Sequence, residues 1–354
     1  MEKAFGNLKK YLPVIFFSTG FLFDIFTLGE IDEMSNIIMQ LLYIIIAAAI
    51  LALEYLEIEN IKSHHLIQKI FLYRVDIFHF CLGSLLSSYT LFYFKSGSLS
   101  NSYFFLIFMA GLLVFNEFQL IKNLGILIRT SLLYLCLLTF MLYLIPLLIG
   151  KSGTLIFLCT ILLCLAISFG IKRLFVKKSS RVYYFTQYLF IPHVVISLLF
   201  TFFYLIKAFP PIPLSLKYIG VFHNVEKENG HYITSENRSK FKFWQNGDQD
   251  FLYKENDKVF IFTKIFAPAG FEDRVNIKWQ VEIDGAYKTS DIIPLNIKGG
   301  RREGYRAFAS KQNIRPGNWR VYIETGSGLE IGRIDFHIYT DENESLTMRK
   351  EKRI

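Results

Sequence analysis

Ionisable side chains inside long apolar runs are the first place to look for chemistry. At the centre of a membrane-spanning helix such a residue costs about 2.5 to 3.5 kcal/mol, so each needs a partner or a purpose. Asp24, Glu54, Asp76, His79, Glu117 and His193 all stand within or at the ends of such runs, with Gln187 beside them. Carboxylates and imidazoles in that setting could relay protons or hold a cation in a polar cavity. Glu54, Asp76, His79, Glu117 and Gln187 fall towards one end of their runs, where headgroups and water would solvate them. Asp24 and His193, the latter following Pro192, lie deeper. A second set of residues is basic: Arg301, Arg302, Arg306, Lys311 and Arg315 follow Lys298 within eighteen positions, offset only by Glu303. Gly299, Gly300 and Gly304 among them permit a tight turn or bulge. Guanidinium groups in such a turn could grip the phosphate or carboxylate groups of an anionic partner.

Other chemistries find no support. No Ser-His-Asp ordering, paired catalytic carboxylates or nucleotide-binding loop is recognisable, so no catalytic residue, metal site or cofactor is expected. His64 and His65 are adjacent, and neighbours on a helix point about 100° apart, so they do not form a metal-binding pair. His223, His231 and His337 are scattered and read as surface or strand residues. Cys81, Cys136, Cys159 and Cys164 all fall inside apolar runs and read as packing residues.

The elements that carry these residues are of two kinds. The 354 residues are 52% hydrophobic and 17% aromatic, too apolar for an ordinary soluble enzyme. Before Phe209 the apolar residues form long runs, whereas after Pro213 charges recur every few positions. A spanning helix needs about 20 mostly apolar residues. Seven stretches qualify: Tyr11 to Gly29, Ser35 to Leu53, Val75 to Tyr93, Tyr103 to Leu120, Thr130 to Gly150, Thr154 to Ile171, and Val182 to Ile206. Asn116 and Glu117 leave the fourth marginal in length. Only Lys151, Ser152 and Gly153 separate the fifth from the sixth, which predicts a tight antiparallel hairpin.

Lys and Arg in short loops are retained on the cytoplasmic side. Lys3, Lys9, Lys10, Lys62, Lys69, Arg74, Lys122, Arg129 and the run Lys172, Arg173, Lys177, Lys178 and Arg181 alternate with loops holding only Lys95 and Lys151. This predicts a cytoplasmic N-terminus and, after an odd number of crossings, an extracytoplasmic C-terminal domain. The first span has a basic flank like a signal peptide's, but Asp24 and the lack of a small-x-small site predict that it is not cleaved. Tyr55 to Leu72 reads as an amphipathic helix at the inner interface.

Pro210 to Pro213 end the seventh run, because proline cannot continue a helix. Beyond them the period becomes two. Val275, Ile277, Trp279, Val281 and Ile283 share one face, and the pattern returns at Trp319 to Ile323 and Ile334 to Ile338, with Gly326 to Gly328 as the hairpin between. Tyr218 to Val225, Phe241 to Trp244, Asp257 to Phe266, Asp291 to Ile297 and Tyr305 to Ser310 supply further strands. Seven or eight strands in this length predict a two-sheet antiparallel sandwich. The expected division is a helical membrane bundle over 1–209, a proline linker over 210–213, an all-β antiparallel sandwich over 214–340, and a charged tail over 341–354.

The series FTKIFAPAG from Phe262, IKGGRREGYRAFASK from Ile297, PGNWRVYIETGSG from Pro316 and IGRIDFHI from Ile331 resembles the uncharacterised bacterial domain of unknown function 2914. The resemblance covers about Val259 to Ile338 and implies a domain that ends a multi-span membrane protein. It brings no activity with it. The family pattern often has a His two residues before the strand Trp; here Ile277 stands there, before Trp279, which argues against any role that requires that histidine. The function expected is a bacterial inner-membrane protein, in contact with the bilayer, whose exported domain binds an envelope protein or anionic polymer. The rival is a small transporter or membrane enzyme using the polar residues of the bundle. No nucleic-acid partner is expected, since the domain is only mildly basic and lies outside the cytoplasm.

Overall fold

A computed structural model describes residues 19–58, 73–118, 125–179, 181–237, 241–254, 257–340 and 350–353. Lys3, Lys9, Lys10, Lys62, Lys69, Lys122, the His64 and His65 pair, most of the stretch to Leu72, and the start of the first apolar run lie outside the described residues. The chain divides into two compact units. Residues up to 95, 99–149 and 154–212 form one; residues 96–98, 150–153 and 213 onwards form the other.

The first unit is helical. Residues 19–27 are helical, and seven helices follow among the described residues. They are α1 (Met34–Ile58), α2 (Arg74–Ser96), α3 (Tyr103–Glu117), α4 (Ile126–Ile149), α5 (Thr154–Ser179), α6 (Val182–Phe185) and α7 (Ile191–Leu205). Four single helices and the combined segment Val182–Leu205 are long and apolar enough to cross a bilayer, by length and composition. The fourth apolar run is shorter than expected. Helix α3 has 15 residues, which at 1.5 Å per residue gives about 22 Å against a hydrocarbon core of about 30 Å. Its chain turns extended at Phe118.

Helix α4 packs against α1, α5 and α7, and its buried side chains run from Thr130 to Pro146. It ends at Gly150, whose φ of +75° suits glycine, and the chain re-enters α5 after Gly153. The seventh apolar run is interrupted. Between α6 and α7 a π turn spans Thr186–Phe190, directly before Pro192. Proline lacks the N–H that an α-helix requires and its ring crowds the preceding carbonyls, so the wider turn accommodates it. Cys81, Cys136 and Cys164 are buried packing residues, and Cys159 is exposed.

The second unit is built from strands: β1 (Ser215–Phe222), β2 (Asn224–Glu228), β3 (His231–Glu236), β4 (Asp250–Leu252), β5 (Val259–Phe266), β6 (Glu272–Ile283), β7 (Ala286–Lys298), β8 (Tyr305–Lys311), β9 (Gly317–Thr325), β10 (Glu330–Tyr339) and β11 (Lys350–Arg353). They form a sheet in the order β1-β5-β8, a larger one in the order β4-β10-β9-β6-β7, and a ribbon in the order β11-β3-β2. Every pairing is antiparallel except β4 with β10, which is parallel.

Alternation places the core. Val275, Ile277, Trp279 and Val281 of β6 pack with Trp319, Val321 and Ile323 of β9 and Ile334, Phe336 and Ile338 of β10. Across from them, Ile219 and Val221 of β1, Val259, Ile261 and Ile265 of β5 and Ala309 of β8 complete one shared core. Trp279 and Trp319 meet edge to face at 6.4 Å, the geometry that ring quadrupoles favour. The ribbon contributes to a smaller cluster of Phe222, Val225 and Phe262, so the three-stranded sheet is covered on both faces.

Two hairpins turn on two residues each, Asn229-Gly230 and Asp284-Gly285, all four at positive φ. That is the type I′ turn, whose twist matches the flanking strands. The edges of the large sheet are blunt: β4 has three residues, and β7 is interrupted by Pro294. Two expectations are corrected. Phe241 to Trp244 are not a strand but a turn, closed by the Gln245 amide donating to the Lys242 carbonyl at 3.1 Å. Lys350–Arg353, expected as part of a charged tail, pair with β3 as a strand.

The core makes a quantitative prediction. Ile277→Ala removes a fully buried side chain of β6, two residues from Trp279 and opposite Ile323 of β9, and should cost about 2 to 5 kcal/mol. Chemical denaturation followed by tryptophan fluorescence should show the midpoint fall accordingly.

Candidate functional site

The helical unit holds a cavity of about 470 Å³ between α1, α4, α5 and the π turn with α7. Most of its wall is apolar, from residues such as Leu51, Leu137, Ile171 and Leu189. Ala48 and Ala52 of α1 make room because their side chains end at Cβ. The polar wall consists of Tyr55, Thr130, Tyr134, Ser168 and His193. Leu189 and His193 both line the cavity, one on the π turn and the other just past Pro192.

His193 is buried at 7% exposure. Its ring stacks on Tyr134 with centroids 4.0 Å apart and planes 8° from parallel. Nδ1 lies 2.6 Å from the Ser168 hydroxyl. Tyr134 is held in turn by Ser197, oxygen to oxygen 2.7 Å, and Tyr55 shares a hydrogen bond of 3.1 Å with Thr130. Tyr134 and Ser168 thus fix the ring, the Thr130 backbone is a further hydrogen-bonding neighbour of the imidazole, and Nε2 is covered by protein.

The other intramembrane candidates do not join it. The Ser87 hydroxyl donates to the Asp24 carboxylate. Arg129 of α4 donates through two nitrogens to the two Glu54 oxygens, one bond being 3.0 Å. His79 of α2 meets Asn116 of α3 twice, Nδ1 to Oδ1 at 2.8 Å and amide to backbone carbonyl at 3.1 Å. The same Asn116 amide reaches Glu117 at 3.3 Å. Asp76 is exposed in the first turn of α2, where a carboxylate complements the helix dipole. The expected inner cavity of carboxylates and histidines is therefore not assembled among the described residues. The polar groups make separate links between helices, and only His193 lines the cavity.

In the β unit the basic residues also separate. Arg306 pairs with Glu303, Lys311 with Asp291, and Lys311 also lies over the Trp319 ring at 5.8 Å. Arg315 donates to the Glu282 carbonyl at 3.4 Å. Arg301 and Arg302 are exposed in the turn before β8. The glycines there serve the chain's own backbone. A Cβ on Gly299 would fall 1.8 Å from the Pro268 carbonyl oxygen. The Gly299 and Gly300 amides donate to Phe271 and Ala267 at 2.7 and 3.1 Å.

Two features were not foreseen. Phe241, Phe243 and Trp244 are 87%, 80% and 67% exposed, on a turn that Asp250 secures by accepting from Lys242 at 2.6 Å and Gln245 at 2.8 Å. Composition alone pointed the other way, because such residues usually mark a strand. His223 is buried between two carboxylates, Nδ1 2.9 Å from Asp257 and Nε2 3.6 Å from Asp248, with Phe251 stacked at 4.0 Å. Its partners lie 25 and 34 positions away, so no local pattern announces them.

Comparison with known proteins places a relationship on this β unit. Residues 272–338, from β6 into β10, match the family described as "Protein of unknown function (DUF2914)". The match leaves out the FTKIFAPAG segment. No curated protein matches the chain. An immunoglobulin-like protein from Pseudomonas aeruginosa is 10% identical, with a TM-score of 0.20, over 34% of this chain and 96% of that one. A GH3 β-glucosidase from Bifidobacterium adolescentis is 8% identical, with a TM-score of 0.18, over 36% of this chain and only 19% of its own. An alkylpurine DNA glycosylase from Pseudomonas fluorescens is 11% identical, with a TM-score of 0.23, over 78% and 83%. Similarity of this depth decides neither fold nor activity.

The turn before β8 and the aromatic turn each give a prediction. Gly299→Ala should lower the denaturation midpoint of the β unit, because backbone must move, whereas Arg301→Ala should change stability by no more than about 0.5 kcal/mol. The hydrogen bonds from Lys242 and then Gln245 hold the Asp250 carboxyl below the usual carboxylate range. Its stabilising contribution is then full above the ordinary carboxylate pKa and lost as pH falls through the lowered folded value. Hydrogen exchange of the amides in 241–250, corrected for the intrinsic pH dependence, should therefore rise in acid. Asp250→Asn should raise it already at neutral pH.

Proposed function

We propose that this chain is an integral membrane protein whose seven spans anchor a β domain outside the cytoplasm, and that this domain is an interaction module for another envelope protein. The observation that carries the proposal is the turn bearing Phe241, Phe243 and Trp244. The domain buries Trp279 and Trp319 to 1% and 2% exposure, yet leaves Trp244 and two phenylalanines in water. Aromatic side chains are the residues most often responsible for binding energy at protein interfaces. An exposed set on a turn tied down through Lys242 and Asp250 loses little further conformational freedom on binding. Arg301 and Arg302 supply a second, cationic contact suited to an acidic partner or an anionic envelope polymer.

The membrane assignment is supported by the long apolar helices and by the alternation of Lys and Arg between loops. The rival reading, a transporter or membrane enzyme acting through Asp24 and His193, needs those residues in one cavity. Asp24 is instead bonded to Ser87, and His193 lines a cavity without it.

The test combines topology with capture. A reporter active only outside the cytoplasm should work when fused after Thr340 and fail when inserted within Lys172 to Arg181. With a photo-crosslinking residue at position 243, cells should yield a discrete protein adduct, lost when Phe241 and Trp244 become Ser. The reverse reporter pattern would overturn the orientation. An adduct unchanged by the Ser substitutions would overturn the role of the turn.

A further inference from the structure

We propose that the cleft between α1, α4, α5 and the π turn holds one acyl chain of an anionic phospholipid, whose phosphate lies against the basic run from Lys172 to Arg181. The inference rests on the reading that these helices span a bilayer, and not on what the β domain binds.

The depth of the cleft is the first support. Its wall on α1 runs from Ile44 to Tyr55, which at 1.5 Å per residue is about 16 Å. The hydrocarbon core is about 30 Å thick, so one leaflet is about 15 Å. The wall begins near the middle of each long helix, at Ile44, Leu137 and Ile167, and finishes near one end, at Tyr55, Thr130 and Phe175. Those three ends lie together, because Tyr55 is bonded to Thr130 and its ring meets that of Phe175 at 5.3 Å. The cleft is therefore one leaflet deep, entering from one side.

The wall is the second. Its space of about 470 Å³ falls in the range of small-molecule sites. None of its side chains is a carboxylate, lysine or arginine. Its hydroxyls are bonded to protein: Tyr55 with Thr130, Ser168 with His193 Nδ1, and Tyr134 with Ser197. An occupant is asked for neither charge nor hydrogen bond, which describes hydrocarbon. Ile171 and Leu174 of the wall are exposed, so the cleft opens on the outside of the unit, where bilayer chains stand.

Charge is the third. Beyond Phe175 the chain continues through Lys177, Lys178 and Arg181, and from Thr154 to Val225 it contains no Asp or Glu. Lys178 stands two turns past Ile171 on the same face of α5. Lys172 lies over the Phe190 ring at 5.1 Å, next to Leu189 of the wall. Glu54, the carboxylate beside Tyr55, is bonded to Arg129. Basic groups gathered at one end of transmembrane helices recognise anionic headgroups. Tyr55, Phe175 and Phe185 meet ring to ring at the same end, and headgroup level is where tyrosine is enriched.

The experiment compares two headgroups on one chain. The full protein is placed in phosphatidylcholine nanodiscs. It is photolabelled in parallel with phosphatidylglycerol and phosphatidylcholine carrying the same diazirine acyl chain, and adducts are mapped by peptide mass spectrometry. Phosphatidylglycerol should mark Leu51, Leu133 and Ile171 well above phosphatidylcholine, while both mark Leu162, exposed on the opposite face of α5, equally. Lys172→Gln and Lys178→Gln should each lower the cleft label from phosphatidylglycerol about fivefold, the factor for one basic residue near a membrane surface. Label on Leu162 should not change. Ala52→Phe, which fills the space from α1, should remove cleft label from both lipids. Cleft label equal from the two lipids, or indifferent to the lysine substitutions, would overturn the proposal. So would cleft label absent while Leu162 is marked, a result that leaves the bilayer reading standing. Label on no helix would overturn the bilayer reading and this inference with it.

Discussion

Every backbone N–H and C=O buried in folding must find a partner, and this chain meets that demand in two different ways on either side of Pro210 to Pro213. In the α-helices up to Leu205 the partners are four residues away, and in the π turn five. From Ser215 they lie on other strands, some fifty residues distant in β1 with β5 and about 120 in β3 with β11. Prolines 210, 211 and 213 offer no N–H to either system, so neither helix nor sheet can spread across them. The compact units divide at the same place. The helical unit exposes long rows of apolar side chains, while the strand unit gathers most of its own into the space between its sheets.

Within the helical unit, that arrangement leaves side chains free to join helices. Glu54 with Arg129, His79 with Asn116, Asp24 with Ser87 and Gln40 with Tyr143 each tie two segments together. These links explain why charged and amide groups stand in apolar runs without a common cavity. They position helices, and α4 collects three of the packing partners. His193 likewise joins segments, bonded to Ser168 through Nδ1 and stacked on Tyr134.

Much of this was legible in the sequence. Helices sustained over 23 to 26 residues declare themselves by hydrophobicity, and β6, β9 and β10 by strict alternation, since each has one face in the core and one in water. The turns Asn229-Gly230 and Asp284-Gly285 carried a readable hairpin signal, and the first would have revealed β2 and β3. Other features had no local signature. The π turn depends on how Pro192 is accommodated, and the cavity on where Ala48 and Ala52 fall opposite α4 and α5. The carboxylates around His223 are brought in by separate loops. The aromatic turn misled because Phe and Trp report a preference for half-buried surface, and here no surface of the chain covers them. The glycines around Arg301 were legible as a turn, but only the structure shows that the backbone they admit is that of residues 265 to 268.

The blunt edges of the large sheet bear on how copies of this chain tolerate one another. A long, flat edge with free donors would template a neighbour's strand, and copies crowded in one plane would fuse through it. Here one edge is only three residues long. The other is interrupted by Pro294, which offers no N–H to a docking strand and so leaves a carbonyl of that strand unpaired, and it carries Lys288, Asp291 and Lys298. High local density is thus compatible with separate, unaggregated domains. Extension of the large sheet by a partner's strand is thereby disfavoured, which shifts recognition towards side chains such as those on the turns.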